Sequence, residues 1–187
     1  MTRSIAISPT KLRRALRLTL LISFAAASSL LSTAQEHSAA SGPPAKLVLA
    51  VREATSQYID VNKATAAGYG PFLGCVSGSD HGAMGIHYVN STLVGDGQID
   101  PDRPEALIYE PLDGKLELVG VEYIVDAKTW LSSHSGPPVL EGQTFLLVTS
   151  PNRYEIPSFF ELHVWAWRDN PQGAFVDWNN RVTCEGQ

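Results

Sequence analysis

Residues 159–178, FFELHVWAWRDNPQGAFVDW, constrain the fold more than any other stretch of the chain. In a β-strand, successive side chains point to opposite faces. Phe159, Glu161, His163, Trp165 and Trp167 then share one face, and Phe160, Leu162, Val164 and Ala166 share the other. The second face is wholly apolar and belongs on a core. The first sets a carboxylate and an imidazole among large aromatic rings, as the wall of a pocket would.

The remaining pattern is one helix followed by strands. Leu47, Val51, Ala54, Tyr58, Val61 and Thr65 recur at spacings of four and three, which predicts a helix over 45–67 with one apolar face. Pro43-Pro44 precedes it, and Gly68 stands where a C-terminal cap belongs. Residues 69–85 are rich in glycine and read as an irregular segment passing close to backbone or ligand. Their spacing matches neither a nucleotide loop nor a GxSxG elbow. Strands are expected at 85–90, 105–110, 115–125, 144–149, 159–168 and 174–178. Asp113-Gly114 predicts one hairpin turn, and Asn170-Pro171-Gln172-Gly173 a type I turn joining the last two strands.

Adjacent strands with short turns favour antiparallel pairing. The expected fold is α+β: an N-terminal helix packed on a curved, mainly antiparallel sheet of about six strands. A cone-like fold and a small barrel with an added helix both fit. Residues 45–187 are expected to form this single domain.

The first 34 residues read as an export signal. Arg3, Lys11, Arg13, Arg14 and Arg17 precede an apolar run, LTLLISFAAASSLL, and Ser32-Thr33-Ala34 offers a cleavage site. The run falls short of the roughly 20 residues a membrane span needs. No later segment is apolar enough to cross a membrane. Residues 35–44 form a polar linker expected to be flexible. The signal holds five of the 14 Lys+Arg and none of the 19 Asp+Glu, so the mature chain carries a net charge of −10. Such a surface repels phosphate backbones and excludes nucleic acid as a partner. The destination is periplasmic or secreted. There, two cysteines, Cys75 and Cys184, are expected to pair.

Three strands carry an ionisable group where alternation predicts an inside: His87, Glu122 with Leu116, Leu118 and Ile124, and the Glu161/His163 pair. A buried charge needs a partner. Two imidazoles and a carboxylate suit a divalent transition metal, so His87, Glu122 and His163 are the candidate ligands, with Glu161 or His81 in support. The alternative is a buried hydrogen-bond network in which glutamates orient histidines. Glu161, Trp165, Trp167 and Tyr88 are the candidate pocket walls. Asp96, Asp100 and Asp102 read as a solvated acidic loop, because two prolines and the wrong spacing exclude an EF-hand. Arg168 is expected to pair with Asp169 or Asp177.

The segments GAMGIHYVN, RPEALIYEP, LVGVEYIV and ELHVWAWRDNPQGAFVDWNNRVTC resemble a group of exported bacterial proteins to which no activity is assigned. The likeness covers most of residues 49–184. It implies export and a shared domain, and it supplies no catalytic residues. Three functions fit the residues. One is a binding domain for a metal ion or small molecule. The second is a hydrolase, isomerase or cyclase using the His/Glu cluster. The third is a structural or interaction domain with a buried polar network.

Overall fold

Residues 45–186 are described by the structure, a computed structural model. The expected signal peptide, 1–34, and linker, 35–44, lie outside the described residues. The chain opens with helix α1 (Lys46–Thr55), a 3₁₀ turn (Ser56–Ile59) and helix α2 (Val61–Ala66). The continuous helix expected over 45–67 is therefore broken. The hydroxyls of Thr55 and Ser56 donate back to the carbonyls of Val51 and Glu53. Such back-bonding competes with the helical ladder. Asp60 is extended, and its side chain accepts the Asn62 N–H as the N-cap of α2. The break shifts the helical phase, so Ala64 is buried and Thr65 is exposed. After α2, Tyr69 N–H donates to Ala64 O and Gly68 N–H to Thr65 O, a Schellman closure.

Strands β1 (Gly70–Gly78) and β2 (Gly82–Val89) follow; β2 matches the strand expected at 85–90, and β1 stands where an irregular segment was expected. The glycines are accommodated by two register shifts in the ladder, one between Phe72 and Cys75 and one between Val76 and Ser77. Close backbone approach does occur. A Cβ on Gly82 (φ +82°) would fall on the carbonyl of Asn179. Helix α3 (Ser91–Val94) leads to β3 (Ala106–Leu112), and Asp113 and Gly114, both at positive φ, turn the chain into β4 (Lys115–Asp126). Helix α4 (Ala127–Leu131), the small hairpin of β5 (Val139–Leu140) and β6 (Gln143–Thr144), β7 (Leu146–Val148) and β8 (Phe159–Val164) complete the elements.

The fold is α+β, a curled antiparallel six-stranded half-barrel sheet in the order β1-β2-β3-β4-β8-β7, with short helices and one at its N-terminal side. No strand forms at 174–178. The residues before the Asn170–Gly173 turn that would pair with that segment lie beyond the end of β8 at Val164, and Trp167 N–H and Arg168 N–H are spent on the Val119 carbonyl of β4. The Asn170–Gly173 turn does close, with Gly173 N–H donating to Asn170 O. Beyond it the ladder reduces to one bond, Trp165 N–H to Ala174 O. Cys75 and Cys184 form a disulfide that ties β1 to the C-terminal segment.

The main core is built from Leu47, Val48 and Val51 of α1 against Tyr109, Val121, Tyr123, Val125, Phe160, Leu162 and Val164 of the sheet. Helix and apolar strand face meet as the alternation requires. A bulge interrupts the alternation on β4: Ile108 opposes Gly120, but Tyr109 opposes Leu118, leaving Val119 unmatched. Leu116 and Leu118 therefore pack with the main core, while Glu122 and Ile124 keep to the other face. The expected sharing of a face by all four is corrected by that one extra residue.

Candidate functional site

The face of the sheet opposite the main core carries the ionisable residues. Glu122 of β4 stands directly opposite His163 of β8, and Ile124 opposite Glu161. On β3 the residue in the same row as Glu122 is Ala106. On β2 that row continues to Val89, and His87 stands one row over, opposite Ile108, so it approaches Glu122 and His163 diagonally across β3. The result is close convergence. His87 Nε2 lies 3.3 Å from Glu122 Oε2 and 3.4 Å from His163 Nε2. All three side chains are buried.

A second triad shares His163. Its Nδ1 lies 3.7 Å from Asp177 Oδ1 and 3.9 Å from Glu122 Oε1. Glu161, His163 and Asp177 form a second group whose donor atoms lie within 4.8 Å of one another. Glu161 Oε2 and His163 Nδ1 are buried and have no hydrogen-bond partner among the described residues. Each such buried polar atom costs about 1–3 kcal/mol.

Burial decides the protonation states. It lowers His87 to about 4, and the charge of Arg153 adds to the effect. Burial and the neighbouring His87 hold His163 well below the ordinary imidazole range. Burial and the adjacent Glu161 charge push Glu122 well above the usual carboxylate range. Burial likewise raises Glu161 and Asp177. At neutral pH both imidazoles are thus neutral, the form that ligates metals.

Two depressions meet this cluster. The larger, about 650 Å³, is lined by Tyr69, Phe72, Val76, Val89, Val94, Ile124, Ile156 and Phe159, with His87, Glu122, Thr65, Ser91 and Tyr154 among its polar residues. The smaller, about 390 Å³, is lined by Glu161, His163, Asp177, Trp178 and the exposed His81.

The sequence-predicted pocket walls divide. Glu161 lines the smaller depression. Trp165 stays beside His163, with rings 6.3 Å apart, but is buried with Ala83, Ile108, Val119 and Val182 and lines neither depression. Trp167 packs on the main core, and its Nε1–H donates to Thr55 Oγ1 at 3.0 Å. The alternation ends where β8 ends: Trp167 N–H and Arg168 N–H both donate to the carbonyl of the bulge residue Val119. Tyr88, next to His87 on β2, faces the main core and meets Tyr109. His81 is outside the cluster, 6.3 Å from the Trp178 ring.

Asp177 is the site residue that sequence reasoning missed. Its signal was a lone carboxylate between Val176 and Trp178. Arg168 does not pair with Asp169 or Asp177. It pairs with buried Glu110 at 2.7 Å and with Glu117 at 3.1 Å, while Arg181 takes Asp169. The acidic loop closes on itself, with Asp96 and Asp100 accepting backbone N–H groups two residues on and Asp100 pairing with Arg103. No helix among the described residues is long and apolar enough to cross a membrane. No protein-family model, curated protein or solved structure matches the chain.

Proposed function

We propose that this is an exported domain that binds one divalent transition-metal ion through His87 Nε2, the Glu122 carboxylate and His163 Nε2. One observation carries the reading. A tetrahedral ion with bonds of about 2.0–2.1 Å has ligand-to-ligand edges of about 3.3–3.4 Å. The spacings of His87 Nε2 to Glu122 and to His163 match that edge, at 3.3 and 3.4 Å. His163 would then turn Nδ1–H toward Asp177, the orienting carboxylate that metal-bound histidines commonly have. Export to the periplasm or medium, behind a cleaved signal peptide, is supported by the disulfide and by the basic and apolar pattern of residues 1–34.

A second reading, an enzyme of the hydrolase, isomerase or cyclase type, draws on the cavity that His87 and Glu122 help to line. Three protein ligands beside a cavity leave a coordination position for water or substrate. Metal content of the chain purified from the extracytoplasmic fraction tests the metal reading. One ion per chain is expected, lost in His87→Ala and His163→Ala while far-UV circular dichroism stays native. A protein that takes up neither zinc nor cobalt, with variants that lose only stability, would leave a buried network in place of a metal site.

A further inference from the structure

We infer that the larger cavity takes an elongated apolar molecule with one oxygen-bearing head group, and that the head group reaches the metal held by His87, Glu122 and His163. The inference rests on the metal reading for its head group and on the cavity for its body.

The cavity has the volume of a small-molecule site, about 650 Å³ within the usual range of about 300–1,000 Å³. Its lining is mixed. His87 and Glu122 are the lining residues shared with the metal cluster, and Thr65, Ser91 and Tyr154 add hydroxyls. The walls are otherwise mostly apolar: Phe72, opposite His87 in the β1–β2 ladder, with Val89, Ile124, Ile156 and Phe159. No Lys or Arg lines the cavity among the described residues, so no anion clamp competes with the cluster for the head group. Gly70 opposes Val89, and a Cβ there would meet open space. The edge strand thus leaves this part of the cavity unfilled. Phe72 keeps about a third of its surface accessible, a large ring left without a full set of neighbours. A hydrophobic body along these walls and a single coordinating group at His87 and Glu122 is the ligand chemistry that uses both kinds of lining.

Alkyl hydroxamates are the probe, because the head group ligates zinc and the chain length can be varied alone. Titration of the zinc-loaded protein with acetohydroxamate through octanohydroxamate should show tightening of about fourfold per methylene until the cavity is filled. Val89→Trp should abolish the chain-length dependence while zinc content stays at one per chain. Ile156→Trp, on the segment before β8, gives the same test if the strand variant fails to fold. Zinc bound with affinity independent of chain length, or a dependence unchanged in both variants, would overturn the inference and leave the metal site standing. Failure to bind zinc would overturn the metal reading. Chain-length dependence persisting in that zinc-free protein would keep the apolar body of the ligand and remove the metal from its recognition. Loss of both zinc and chain-length dependence would end both readings.

Discussion

Breaking the Cys75–Cys184 bond should destabilise the domain by about 5 kcal/mol. The two cysteines are 109 residues apart, so the bond closes all of the sheet beyond Cys75, and everything up to Cys184, into one loop, leaving α1 and α2 outside it. Chain-entropy arithmetic for a loop of that length gives about 16 cal/mol/K, or about 5 kcal/mol at 25 °C. That is a third or more of the stability of an ordinary domain, about 5–15 kcal/mol. For a chain of this size it corresponds to a fall in Tm of roughly 15–20 °C.

The C-terminal segment has other anchors. Val182 is buried, Thr183 N–H donates to Glu110 Oε1, and Asn179 pairs with Ala83. The native state therefore holds its tail after reduction, and the loss falls on the unfolded chain. Urea unfolding of the oxidised protein, the reduced protein and Cys75→Ala/Cys184→Ala measures the effect. Reduction leaves the sulfurs in place and isolates the cross-link from packing. The m-value should rise on reduction, because the unlinked chain exposes more surface. Oxidised and reduced forms that unfold within about 0.5 kcal/mol of each other, with equal m-values, would refute the loop argument.

Burial pushes Glu105 up to about 8, so from pH 4.5 to 8 the unfolded chain sheds a proton that the folded one keeps, and stability falls as pH rises through that window. Glu105→Gln keeps an acceptor for Ile124 N–H and should raise the unfolding free energy at pH 8, by up to about 5 kcal/mol, with no gain at pH 4; equal urea midpoints for both proteins at pH 8 would reject the shift. Gly82→Ala places a methyl on the Asn179 carbonyl at a positive φ and should cost about 2–4 kcal/mol in thermal unfolding; an unchanged Tm would mean that the β2–Asn179 contact yields freely.

Local rules made much of the fold legible. Period-2 alternation found five strands of the central sheet, β2, β3, β4, β7 and β8, but not the glycine-rich β1, and the Asp113-Gly114 pair placed one turn. The cysteine pairing followed from an even count in a chain with an export pattern. The failures share a cause, the competition of distant segments for the same backbone groups. Residues 174–178 have strand composition but no strand to pair with, because β8 ends at Val164 and the N–H groups of Trp167 and Arg168 go to Val119 of β4. Leu118, Trp167 and Glu122 cannot be assigned to faces without the bulge at Val119, which depends on how β3 and β4 pair. The convergence of His87, Glu122 and His163 needed the pairing of Glu122 with His163 and the register that sets His87 of β2 opposite Ile108 of β3, one row from Glu122. Asp177 was hidden because it reaches the site from a loop, where no periodicity marks an inward face.

The site itself argues against selection for stability alone. Four ionisable groups, His87, Glu122, Glu161 and His163, are buried on one sheet face, and two of their polar atoms lack hydrogen bonds. A closed structural network would satisfy its members, since an incomplete one is worse than an apolar core. A cation would satisfy them by attraction to the carboxylates and by coordination to nitrogen. The two readings separate in Glu122→Leu. Removing Glu122 strips a partner from both histidines and should cost the metal-free protein about 1–3 kcal/mol under either reading. If the cluster is a structural network, zinc changes nothing; if it is a metal site, parent and variant part in their response to zinc. Added zinc at 100 times its Kd should then stabilise the parent by about 2.7 kcal/mol and the variant not at all. Unfolding curves of both proteins in EDTA and in zinc decide the matter. A variant equally destabilised under both conditions, beside a parent that zinc does not stabilise, would remove the metal from the site.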